Sequence, residues 1–265
     1  MILARRVALN GTQLDSMDNR ILISSIDEAA GRDNITAVSR GAGGGQRITN
    51  MRRDTLDVTV KFALNIKSSD MAGRTALLNR INKWAAGGGV LTVGHRSGQQ
   101  LNVVLAQAPG GGDIFSWANE FTLVFRAYGI PFWQETTASG TVTIAAATSG
   151  FDSLTVGGSA NTVADVILTN QGSATVNNCE ITVNGNTMAF SSLGLAVGES
   201  LVIDHTGDGL LQILIYETDE YYRSAMGKRT PASADDLWCV PGVCEVSFEA
   251  DYACKMTVNC KGRFL

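Results

Sequence analysis

A chain of 265 residues, 45% hydrophobic and 17% charged, has a globular composition, and its formal net charge of −4 supplies no field for nucleic-acid recognition or an anionic membrane. No run approaches the ~20 apolar residues of a membrane span. The first ten residues, with Arg5 and Arg6 and no long apolar core, do not read as a signal peptide, so assembly is expected in the cytoplasm. Residues 1–128 carry 15 Lys/Arg against 10 Asp/Glu, whereas residues 129–265 carry 6 against 15, a split that predicts two domains with different surroundings.

Residues 20–26 read as a first strand. A polar stretch then leads into two weakly apolar arms, 35–40 and 46–53, around the cluster Gly41-Ala42-Gly43-Gly44-Gly45. This pattern predicts a long protruding hairpin, with a plain glycine loop as the alternative. A polar arm buries little within its own domain and serves better against a neighbouring subunit. The candidate contact residues are Ile35, Arg40, Gly41, Gly43, Gly44, Gly45, Arg47 and Arg52.

Residues 55–66 place Leu56, Val58, Val60, Phe62, Leu64 and Ile66 on alternate positions, the period of a half-buried antiparallel strand. A helix follows, capped by Ser69 or Asp70 and carrying Leu77, Leu78, Ile81, Trp84 and Ala85 on one face. Gly87-Gly88-Gly89 ends it. Strands are predicted at 90–94 and 101–106, and another at 117–127 through the alternation of Trp117, Phe121, Leu123, Phe125 and Ala127. The first domain is therefore a β-sheet packed with one helix.

Pro131 forces Ile130 toward extended geometry and lacks a ladder N–H, which places the boundary between domains 1–132 and 133–265. Short β-rich runs then recur at 141–146, 153–156, 163–169, 179–183, 187–190, 200–203 and 210–216. Their even spacing between Gly and Asn turns predicts an antiparallel β-sandwich. Residues 243–250 and 254–265 are expected to close it as a final hairpin.

In this order, several motifs resemble the distal tail protein family of long-tailed bacteriophages. They are residues 21–26, the glycine-tipped hairpin, and the run Arg53-Asp54-Thr55-Leu56-Asp57-Val58-Thr59-Val60. Asn82-Lys83-Trp84-Ala85, residues 119–127 and Ile130-Pro131-Phe132-Trp133-Gln134 continue the match. Leu168-Thr169-Asn170-Gln171-Gly172, Ser200-Leu201-Val202-Ile203-Asp204 and Trp238-Cys239-Val240-Pro241-Gly242 carry it through the second half. The resemblance implies a mainly β chain with a ring-forming tail-hub domain and a galectin-like sandwich. It implies a homo-hexamer at the virion tail tip, between the tail tube protein and the tail-tip or baseplate hub proteins. Host surface carbohydrate is the alternative partner. The cysteine-rich end, with Cys244 where relatives often carry a polar residue, departs from the pattern.

Chemistry has few footholds. Cys239, Cys244, Cys254 and Cys260 crowd the last 27 residues, and three readings stay open: buried free thiols, a thiolate metal site, or a Cys244–Cys260 disulfide. Cys239, Cys244 and Cys260 are the metal candidates. His95 and His205 read as solvated turn residues. The stretch from Asp204 to Gly209 fails as a calcium loop, since Ile215 stands where a bidentate Glu is needed. With no nucleophile elbow and no phosphate loop, no catalytic residue and no cofactor is assigned. Tyr221, Tyr222 and Trp238, with Arg223 alongside, are candidate glycan contacts, with sandwich packing as their plain alternative.

Overall fold

A computed structural model describes residues 6–29, 33–39, 46–53, 55–67, 69–109, 120–206, 209–217 and 220–265. The fold is mainly β, and the chain divides into two compact units, 1–133 and 134–265.

The first unit contains β1 (Val7–Leu9), β2 (Thr12–Gln13), β3 (Ile21–Ala29), β4 (Asp33–Ser39), β5 (Gln46–Arg53) and β6 (Leu56–Leu64). Helix α1 (Met71–Ala85), β7 (Gly89–Val93), β8 (Gln99–Gln107) and β9 (Glu120–Ala127) follow. The main sheet runs β2-β1-β7-β8-β9-β6-β3. Strand β6 alternates buried and half-buried positions along its whole length because its apolar residues fall on every second position. It lies between β3 and β9, where Phe62 meets Phe121 in register and their rings stack at 5.6 Å. The Asp70 side chain caps α1 by accepting the Gly73 N–H at 2.9 Å. Arg74, Leu77, Leu78, Ile81 and Ala85 form its buried face. Trp84 packs edge-on against Phe125 and donates its indole N–H to the Thr12 carbonyl. Trp117 of the predicted strand lies outside the described residues.

Strand β10 (Trp133–Glu135) carries the chain from one unit to the next. The second unit holds β11 (Gly140–Val156), β12 (Thr162–Asn170), β13 (Cys179–Val183), β14 (Asn186–Phe190) and β15 (Ser200–His205). It continues with β16 (Leu211–Glu217), β17 (Glu220–Ser224), β18 (Trp238–Cys239), β19 (Gly242–Cys260) and β20 (Arg263–Phe264). Asn184 and Gly185, both at positive φ, turn β13 into β14 with two residues, a tight hairpin that needs left-handed backbone at both positions.

The expected final hairpin is absent: residues 242–260 form one bent strand. The runs at 141–146 and 153–156 likewise belong to one strand, β11. These two strands pair along nearly their whole length and shift register together between Ile144 and Ser149. Beyond the shift, β19 turns to a different neighbour. Its first half pairs with β13, and its second half pairs with β12, which leads on to β15, β16 and β17. A single sheet is thereby folded over on itself into a sandwich. A Cβ on Gly150 would stand 2.4 Å from Ile144 Cγ2, although six residues of straight strand would span about 20 Å. One apolar core, including Leu154, Ile181, Val246 and Phe248 from one half and Val166, Leu201, Ile213 and Met256 from the other, fills the fold. Asp251, which falls between the two arms of the expected hairpin, instead lies within the strand and accepts the backbone N–H groups of Asn177 and Asn178.

Candidate functional site

The excursion between β3 and β6 leaves and returns at one end of the main sheet, where Ala29 and Asp57 are register partners. Among the described residues, strands β4 and β5 pair only with each other, as a two-stranded ribbon outside the main sheet. Ile35 lies opposite Met51, Asn34 opposite Arg52, and Val38 opposite Arg47. Arg40, Gly41, Gly43, Gly44 and Gly45 lie outside the described residues. An isolated two-stranded ribbon is marginal in water, so it gains most from a surface that covers it.

Charge clusters brace the root of this ribbon. Glu28, the penultimate described residue before it, accepts from Arg96 at 2.6 Å and from the Trp133 indole at 3.1 Å, and lies 2.6 Å from His95 Nε2. The Arg96 guanidinium also sits over the Trp133 ring. Burial pushes the Glu28 carboxyl up, but the hydrogen bonds with Arg96 and His95 outweigh it and leave the group below its usual value. On the returning leg, Asp57 holds Arg126 by two bonds of 2.6 Å. His95 is thus the exposed turn residue expected between β7 and β8, and it is in addition a carboxylate partner at the root.

His205, by contrast, departs from its expected solvated turn and ends strand β15. Its side chain is only 6% exposed, with Nε2 2.9 Å from Asp236 and Nδ1 3.7 Å from Asp165. Burial alone would lower its pKa, yet the facing carboxylates raise it to about 9.

The glycan candidates do not converge. Tyr221 is in line with Tyr216, Ser200 and then Thr169 across β17, β16, β15 and β12, whereas Trp238 pairs with Val163. Residues 163 and 169 stand about 20 Å apart along one strand. Tyr221 instead meets Tyr216 edge-on. Arg223 is bonded to Glu199 through two nitrogens at 2.9 and 2.8 Å and to the Gly194 carbonyl at 2.6 Å, which makes it a brace within the sandwich. The Tyr222 side chain lies outside the described residues.

A surface that sequence reading missed lies on the outer face of β11, β19 and β13. Phe151, Ser247 and Thr182 form one cross-strand row, and Ser149, Glu249 and Glu180 the next. They line an open groove of about 380 Å³ in which Phe151 is 65% exposed. The β11 bend places Phe151 there, and local alternation gave no sign of it.

All five cysteines are buried and free. That is the first of the three readings left open; of the alternatives, the Cys244–Cys260 disulfide is not formed, and the sulfur contact is between Cys239 and Cys260. No group of three or more His, Cys, Asp or Glu side chains that could hold a metal occurs among the described residues. No helix among them is long and apolar enough to cross a membrane.

No family model matches the sequence, and no curated protein matches it. Among solved structures, SPP1 Dit (gp 19.1), a hub adsorption apparatus protein of phages infecting Gram-positive bacteria, is similar with a TM-score of 0.67 at 13% identity. The likeness covers 98% of this chain and 99% of that one. The fold is that of a phage distal tail protein. A chain of the phage P2 baseplate in its activated conformation with Ca is similar with a TM-score of 0.50 at 7% identity, over 97% of each chain. The distal tail fold therefore takes in both units and not the sandwich alone.

Proposed function

We propose that this chain is a non-enzymatic structural component of a bacteriophage tail tip, assembled in the bacterial cytoplasm. In this reading the first unit, the ring-forming domain, closes a homo-hexameric ring between the tail tube protein and the tail-tip or baseplate hub proteins. The galectin-like sandwich is the second domain. The observation that carries the reading is the likeness, over nearly the full length of both chains, to the SPP1 hub protein. The β4–β5 ribbon supports it physically. A ribbon unpaired with its own main sheet, on a braced root, is suited to lie along the next subunit, and a heterologous contact repeated by a fixed rotation closes a ring. Ile35, Arg40, Gly41, Gly43, Gly44, Gly45, Arg47 and Arg52 belong to that contact.

The test is the solution mass of the purified chain, with negative-stain images of any large species. A species of six times 28.0 kDa with a central hole is expected, and deleting residues 36–49 should return it to monomer with both units folded. A ring that survives the deletion removes the ribbon from the contact.

Recognition of host-surface carbohydrate is the second reading, and the groove beside Phe151 favours it over the separated Tyr221 and Trp238. An exposed aromatic face beside serine, threonine and glutamate side chains offers stacking together with hydroxyl recognition. On a glycan array the full chain should give a signal that Phe151→Ala abolishes. A silent array removes this reading.

A further inference from the structure

The sandwich brings three cysteines from separate parts of the sequence into contact. Cys239 on β18 and Cys260 at the end of β19 lie two residues apart along β12, opposite Thr162 and Ala164 respectively. Their sulfurs stand 3.0 Å apart, closer than two sulfurs in simple van der Waals contact. Cys244, near the start of β19, also interacts with Cys239. The bend in β19 makes this possible, since it returns the far end of the strand to the neighbourhood of its beginning. Cys179 and Cys254 stand apart from this group.

We propose that Cys239 and Cys260 form an oxidation site that closes an intramolecular disulfide, with hydrogen peroxide as the class of oxidant. One sulfur attacks a peroxide oxygen and the O–O bond breaks. The departing hydroxide takes up a proton and leaves as water, so the first cysteine becomes a sulfenic acid. The second sulfur attacks that sulfur, the S–O bond breaks, and a second water leaves. Two thiols lose two electrons and two protons, and one peroxide becomes two waters. The cross-link joins residues 21 apart in sequence and ties β18 to the end of β19. Both thiols are buried, at 0% and 1% exposure, which shields them from bulky alkylating reagents and calls for an oxidant as small as hydrogen peroxide. The hydrogen bond with Cys260 and burial both push the Cys239 thiol up, which keeps it protonated and makes the reaction slow.

Mass spectrometry of the full chain after peroxide treatment, denaturation and alkylation tests the site. Free thiols should fall from five to three, and a non-reducing digest should contain one peptide pair linked through Cys239 and Cys260. The melting temperature should rise by roughly 5 °C on oxidation and return with dithiothreitol. Cys260→Ala should lose both the linked peptide and the rise. The dithiothreitol reversal tests the native chain should that variant fold poorly. Five free thiols after oxidation, or a link through Cys244 in place of Cys260, would overturn the assignment.

Discussion

His205 is a case where single contacts decide what a residue does to stability. Its folded pKa, about 9, stands above the ordinary 6.5, so the protonated imidazole is favoured in the folded chain by Asp236 and Asp165. The contribution is fully present below about pH 6.5 and disappears as pH rises through about 9. Urea unfolding at pH 6 and pH 10 should show the native chain losing stability at the higher pH. His205→Gln should flatten that loss, and an unchanged profile would show that the pairing contributes nothing. Neither His205 nor Glu28 was legible in the sequence. Each sits in a polar, turn-like run, and its partners come from elsewhere: Asp236 from 31 positions away, Arg96 from 68. Spacing along a chain carries no record of such encounters.

Among the elements, periodic segments were readable and bent ones were not. Strand β6 and helix α1 declare themselves because every apolar residue on one face meets the same core. Strands β11 and β19 do not. They shift register together midway, where β19 also exchanges β13 for β12, so Gly150 and Asp251 look like turn residues although both lie within strands. Gly150 has a steric role at the fold, since a Cβ there would collide with Ile144 and approach Phe248. Gly150→Val should lower the unfolding free energy by about 2 kcal/mol through overpacking. Denaturant titration monitored on the second unit checks this, and a neutral result would mean that the bend relaxes freely. For the candidate site, sequence reading located the ribbon but not its bracing. It named Tyr221 and Trp238 without any means of seeing that the sheet holds them apart, and it passed over Phe151.

On the scale of the molecule, the charge split falls close to the division into two units. A positive first half and a negative second half fit a chain whose units face different surroundings. The units also differ in how their sheets are closed. In the first, β6 and β9 are separated by α1 and two strands, whereas in the second the outermost long strands in sequence, β11 and β19, are direct partners.

That pairing has a consequence for the order in which the chain becomes structured. Gly140 cannot find its partner Cys260 until nearly the whole of the second unit has left the ribosome, so its closing contacts carry high contact order. The first unit can fold during synthesis, while the second must wait with its future core exposed. In refolding experiments, signals from the first unit should recover before those from the second. Simultaneous recovery would mean that the two units fold as one cooperative body. Earlier recovery of the first unit would let the ring proposed above begin to gather its members before their sandwiches are complete.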